Sequence, residues 1–213
     1  MSATRVKICG MTRARDVEAA AEMGASAVGF NCYPKSPRYA VPQLRDLAGS
    51  VPAFVTPVLL FVNASESDVR RALDAVPNAT LQFHGDETVA QCERFQRPFL
   101  RAISMNEGVD LLDCEREYGS AIGLLADTPS QGYGGSGRGF DWSRLPGRSV
   151  RSKPLILAGG LSSENVGAAI VAIQPYAVDV ASGVEDSPGM KSVLKMRAFF
   201  AAVRAADQSL QTS

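Results

Sequence analysis

The chain has 213 residues, 46% hydrophobic and 21% charged, the composition of a globular domain with a sizeable core. Lysine plus arginine equals aspartate plus glutamate at 22 each, so no global field draws the chain toward nucleic acid or an anionic membrane surface. No apolar stretch approaches the roughly 18 residues a membrane span needs, and "MSATRVK" at the N-terminus lacks the apolar core of a secretory signal.

The first predicted strand is "RVKIC" (5–9), broken by Gly10. A helical pattern over 13–23 follows, with Val17, Ala20, Ala21 and Met23 near one face and Gly24 ending it. "AVGF" (27–30) precedes a helix over 42–49, where Pro42 suits the first turn. "TPVLLFV" (56–62) precedes a helix over 66–75, and Ser65 with Asp68 reads as its capping box. "TLQFH" (80–84) leads to a helix over 86–96, and "PFLRAI" (98–103) to one over 107–117. "AIGLLAD" (121–127) runs into a glycine-rich loop, with a short helical piece near 140–145. "PLILA" (154–158) and "YAVDVA" (176–181) complete the strands, with helices over 163–173 and 191–204.

Strands that alternate with helices imply a parallel sheet with crossover connections, either closed or open and doubly wound. Eight repeats in about 205 residues favour closure. The predicted fold is therefore α/β: one (β/α)₈ TIM barrel over residues 1–206, with a polar, frayed tail at 207–213.

In such a barrel the chemistry sits at the C-terminal ends of the strands and in the loops after them. Those ends carry Cys9 and Gly10, Asn31 to Arg38, Asn63, His84, Ser104, Asp127, Gly159 and Gly160, and Ser182 and Gly183. Each has a plainer use. Cys9 can be a small buried hydrophobe, Asp127 a helix cap or loop ion pair, and Arg38 a surface cation. His84 is the single histidine and serves equally as a ligand donor or a neutral structural residue. Lys7 and Asp179 read as an ion pair inside the barrel.

The functional readings are more specific. A carboxyl at Asp127, after the apolar "GLLA", has the setting of an acid tuned toward neutrality. A thiol at Cys9 needs nearby positive charge to act as a base. An arginine at position 38, restrained by Pro37, suits bidentate capture of a carboxylate.

In the two loops after strands seven and eight, the glycine pair Gly159–Gly160 and the dipeptide Ser182–Gly183 suit a phosphate approached by backbone N–H groups. The loop "DTPSQGYGGSGRGFDW" formally matches a dinucleotide fingerprint but is too far from its strand, and no long helix follows. It reads as a linker or as a lid over the barrel mouth, with Gly135, Ser136 and Gly137 offering amides and a hydroxyl to the ligand. One histidine and no carboxylate cluster at ligand spacing imply no metal. Four cysteines, Cys9, Cys32, Cys92 and Cys114, without CxxC spacing imply reduced thiols and a cytoplasmic protein.

Taken in order, "VKICGMT", "GFNCYPKSPRY", "LFVN", "LQFHGDE", "LLADTPSQGYGGSGRGFDW", "LAGGLSSENV" and "DVASGVEDSPGMKS" resemble the phosphoribosylanthranilate isomerases of tryptophan biosynthesis, over residues 6 to 192. The resemblance implies a (β/α)₈ barrel that isomerises N-(5-phosphoribosyl)anthranilate by an Amadori rearrangement. It implies Cys9 as general base, Asp127 as general acid and Arg38 on the anthranilate carboxylate. Gly159, Gly160, Ser182 and Gly183 would hold the phosphate. One acid and one base suffice for that reaction, so no cofactor is implied. The partner is a phosphorylated small molecule, with neither nucleic acid nor membrane, and monomer and homodimer both remain open. The rivals are another phosphosugar barrel enzyme, of the indole-glycerol-phosphate synthase or epimerase kind, and a non-catalytic phosphate-binding barrel.

Overall fold

Runs such as 58–61 and 124–126 are apolar on both faces, and both faces are buried in the computed structural model, which describes residues 3–129 and 141–212. The strands are β1 (Arg5–Cys9), β2 (Ala27–Asn31), β3 (Thr56–Phe61), β4 (Thr80–Phe83), β5 (Phe99–Ser104), β6 (Gly123–Asp127), β7 (Leu155–Leu157) and β8 (Ala177–Val180). They pair in parallel in sequence order and close when β8 pairs with β1. The fold is the expected single-domain (β/α)₈ barrel. The expected strand bounds hold to within two residues at each end.

Helices α1 (Ala14–Glu22), α2 (Leu44–Gly49), α3 (Glu66–Ala75), α4 (Val89–Glu93), α5 (Leu111–Glu117), α6 (Val166–Ile173) and α7 (Val193–Thr212) cover the outside. Among the described residues, β6 is followed only by short 3₁₀ turns, Trp142–Arg144 and Arg148–Val150. After β8 comes a two-stranded hairpin that the sequence did not announce, β9 (Glu185–Ser187) and β10 (Met190–Lys191), turned at Pro188 and Gly189. Gly189 has φ +81°, the conformation a Pro-Gly turn of this kind requires at its second central residue.

Strand alternation sorts side chains between two cores. Val6 and Ile8, Leu59 and Phe61, Leu124 and Ala126, and Val178 and Val180 face the helices and join the main cluster with Phe30, Phe83 and Phe199. Their neighbours face inward. Ala102, Leu125, Ile156, Ala158 and Ala177 fill one part of the interior, Lys7 meets Asp179 there, and Cys9 packs with Leu60 and Val62. The functional candidates on β1, β6 and β8 are thus on the inner face because their odd-numbered positions alternate with the helix-facing ones.

Local expectations are refined in two places. Ser65 caps α3, with its hydroxyl accepting from Asp68 N, but the Asp68 carboxylate takes the Ser65 hydroxyl proton rather than the backbone N–H. The reciprocal capping box lies at Thr88 and Gln91, ahead of α4. The tail expected to fray from 207 is instead helical, since α7 continues to Thr212. Asp207 anchors it by accepting from Thr4 N at 2.8 Å and Thr4 Oγ1 at 2.6 Å, which ties the two ends of the chain together.

Candidate active site

Cys9 closes β1 and is 6% exposed, among Leu60, Val62 and the partly buried Tyr33 and Ala181. The next residue turns the chain away. Gly10 adopts φ +77°, and the space a side chain would occupy there is filled by the aliphatic part of Arg38. The loop after β2 thereby lays Arg38 against the first strand end, beside Cys9.

Pro37 alone does not hold Arg38. Its Nε and Nη2 donate to Glu185 Oε1 and Oε2 at 2.8 and 2.7 Å, a bidentate pair with side chains 16% and 4% exposed. Lys191, fully buried, donates to the same Glu185 Oε1 at 2.8 Å and to Ala181 O at 3.0 Å. The β9–β10 hairpin supplies both residues. Burial alone would raise the Glu185 carboxyl, but the Arg38 hydrogen bond and the Lys191 charge outweigh it and hold it below the usual range. Two cations on one carboxylate leave the cluster positive. Glu185 engages one edge of the guanidinium, and the Nη1/Nη2 edge is a separate pair of donors that can take a second carboxylate. Sequence reasoning missed Glu185 and Lys191, which lie 147 and 153 residues beyond Arg38 and carry no local signal.

Asp127 closes β6, three strands round the barrel from β1. It is buried, but donors rather than an apolar wall surround its carboxyl. Thr128 N donates to Oδ1 at 2.8 Å, and His84 Nε2 lies 3.1 Å from Oδ2. Behind the imidazole, Gln82 Nε2 is 3.1 Å from His84 Nδ1. An amide donating to Nδ1 leaves the ring proton on Nε2, directed at Asp127. Gln82 is fully buried, and its Oε1 has no partner among the described residues. Sequence reasoning passed over it, although its position two residues before His84 puts both on one strand face.

Gly159 (φ +82°) and Gly160 (φ +63°) form the turn after β7. A Cβ at Gly159 would strike Thr128 and come within 2.9 Å of Asp127 Oδ1, so the glycine lets this turn lie against the carboxyl. Asn165 shapes the same turn, accepting from Ser162 N at 2.8 Å and donating to Gly160 O at 2.9 Å. Ser182 opens a 3₁₀ turn after β8, and Gly183 packs directly on Leu161 O, which leaves no room for a Cβ. The loops after β7 and β8 therefore abut. Gly135, Ser136 and Gly137 lie outside the described residues. Among the described residues no group of three or more His, Cys, Asp or Glu is placed to hold a metal ion.

The rim thus presents a sulfur on one side, a carboxyl with an attached imidazole on another, a positive cluster beside the sulfur, and a glycine turn against the carboxyl. That set can remove one proton, deliver another and hold an anion.

Residues 6–202 match the family model of N-(5′-phosphoribosyl)anthranilate (PRA) isomerase. A relative from Leptothrix cholodnii, named N-(5′-phosphoribosyl)anthranilate isomerase, is 52% identical over 205 residues, covering 96% of this chain and 92% of the relative. Among solved structures, phosphoribosyl anthranilate isomerase from Thermotoga maritima superposes with a TM-score of 0.84 at 38% identity, over 95% of this chain and 99% of that one. A second, the isomerase in complex with reduced 1-(o-carboxyphenylamino)-1-deoxyribulose 5-phosphate, superposes with a TM-score of 0.77 at 33% identity, over 95% and 99%.

Proposed function

This chain belongs to the N-(5′-phosphoribosyl)anthranilate isomerase family, and from that premise we propose that Cys9 and Asp127 divide its reaction as base and acid. The enzyme converts N-(5-phosphoribosyl)anthranilate to 1-(2-carboxyphenylamino)-1-deoxyribulose 5-phosphate, a step of tryptophan biosynthesis. The observation that carries the division is the placement of both groups on the inner face at strand ends, with His84 directed at Asp127 and cations around Cys9.

Asp127 protonates the furanose ring oxygen, and the ring opens to a Schiff base. The proton comes from the Asp127 carboxyl itself; His84, with its Nε2–H donating to Asp127 Oδ2, orients that carboxyl toward the ring oxygen. The cationic imine acidifies the C2′ proton. Cys9 Sγ removes it, the electron pair of the C2′–H bond forms the enolamine, and tautomerisation gives the ketone. The imine's positive charge also favours a thiolate beside it. These steps draw on no metal and no organic cofactor.

The Nη1/Nη2 edge of Arg38 receives the anthranilate carboxylate while Glu185 holds the other edge. The turns at Gly159–Gly160 and Ser182–Gly183, with the Thr128 hydroxyl, which has no hydrogen-bond partner among the described residues, receive the phosphate. No helix among the described residues is long and apolar enough to cross a membrane. The four cysteines are unpaired, which suits a reducing cytoplasm.

Loss of substrate fluorescence gives the kinetics that test this orientation. Arg38→Lys keeps the charge but not the two-edged fork. KM is expected to rise about tenfold or more, the worth of a charged hydrogen bond, with kcat changed far less. An unchanged KM would take Arg38 off the carboxylate.

A further inference from the structure

Lys7 and Asp179 form an ion pair inside the barrel that the reaction as written does not use. Lys7 Nζ lies 2.9 Å from Asp179 Oδ1, with side chains 5% and 9% exposed. Another part of the interior is filled by Leu125, Ile156 and alanines, which carry no charge to desolvate. A buried pair here is therefore weak evidence for stability and invites another explanation.

The position of the pair supplies one. Lys7 precedes Cys9 by two residues, so both side chains leave β1 on its inner face. On the neighbouring strand stands Gly29, paired in register with Cys9. A Cβ there would lie 2.8 Å from Cys9 Sγ and 3.2 Å from Lys7 Nζ. Gly29 is absent from the positive-φ glycines, so backbone conformation does not demand it. Space does: sulfur and ammonium share the gap that any other residue would fill.

We propose that Lys7 is a positioning residue for catalysis, aimed and kept charged by Asp179, which stabilises Cys9 as the thiolate that takes the C2′ proton. The inference rests on Cys9 being the base. The charged groups acting on Cys9 are Lys7 from β1, Asp179 from β8, Lys191 from β10 and Arg38 from the loop after β2. Burial dominates and leaves the thiol above its ordinary value in the free enzyme. Lys7 opposes it most strongly, ahead of Asp179, which acts the other way, and of Lys191. In return, although burial disfavours the ammonium, Asp179 and Cys9 together hold Lys7 above its ordinary value.

The test is alkylation of Cys9 by iodoacetamide as a function of pH, read by mass spectrometry of the Cys9 peptide. Cys32 and Cys92, pushed up to about 12 by burial, stay as thiols and report on separate peptides. Lys7→Met is expected to raise the Cys9 midpoint by about one pH unit or more, a tenfold fall in thiolate below it, and to move the acidic limb of kcat/KM the same way. Because Lys7→Met strands a buried carboxylate and can unfold the barrel, Lys7→Met/Asp179→Leu is measured beside it, with folding checked by circular dichroism. The folded double variant is expected to shift in the same direction. A folded double variant with the wild-type midpoint would overturn the proposal. Cys9→Ser with near-wild-type turnover would instead overturn the base role, whatever the alkylation midpoint shows.

Discussion

Asp127→Asn is expected to lower kcat by about 10²- to 10⁴-fold, the usual worth of a positioned general acid, with little change in KM. Asparagine is nearly isosteric, so the Thr128 N–H keeps an acceptor at Oδ1 and the Gly159 turn keeps its packing. What is lost is the transferable proton. The amide cannot protonate a ring oxygen, and His84, 3.1 Å away, is left facing an amide in place of the carboxyl it orients. The effect should appear in single turnovers as well as in the steady state, because it lies in ring opening. An Asp127→Asn enzyme within tenfold of wild type would assign the acid elsewhere, with His84 the next group to test.

Cys9→Ser carries the second large effect, again about 10²- to 10⁴-fold in kcat. Serine fits the space among Leu60, Val62 and Gly29, but its hydroxyl does not ionise in the range where a thiol can. The cations that favour a thiolate, Lys7 first, cannot make up that difference. The two variants should separate by step. Asp127→Asn stalls before the Schiff base, whereas Cys9→Ser still opens the ring and fails at C2′. The enolamine takes its new hydrogen from solvent at C1′ as it becomes the ketone, so incorporation of solvent deuterium at C1′ of the product reports the second step, and Cys9→Ser should suppress it.

The alternation of apolar runs and helical patterns made the barrel legible because a strand buried on both faces leaves an unbroken apolar run, and each run here is short and ends at a polar or glycine residue. Helix starts were harder to read. α4 begins at Val89 rather than 86 because Glu87 is drawn into the loop, where it accepts from Asn63 N and Gly85 N and pairs with buried Arg101. α5 begins at Leu111 because Gly108 turns at φ +83° and Asp110 caps Leu112 N. α6 begins at Val166 because the Asn165 side chain is engaged in the preceding turn. In each case a side chain bonding its own backbone neighbourhood overrides a helix-compatible pattern.

In the site, strand-end position singled out Cys9, Asp127 and Arg38, and the family motifs gave them roles. Their supporting partners were not legible. Glu185 reaches Arg38 only because the β9–β10 hairpin folds back across the mouth. Asp127 was expected against an apolar wall, but β4 brings His84 to it instead, since β4 and β6 flank β5. Such contacts depend on the order and stagger of the closed sheet, which a linear pattern does not carry.

The most direct measurement is a crystal structure of this chain with reduced 1-(o-carboxyphenylamino)-1-deoxyribulose 5-phosphate. Cys9 Sγ and the Asp127 carboxyl should lie on opposite sides of the ribulose chain, with the carboxyphenyl group on Arg38 and the phosphate at the Gly159–Gly160 and Ser182–Gly183 turns. A ligand seated with Cys9 shut away from its C2′, or with its carboxylate far from Arg38, would contradict the assignment of base, acid and anchor.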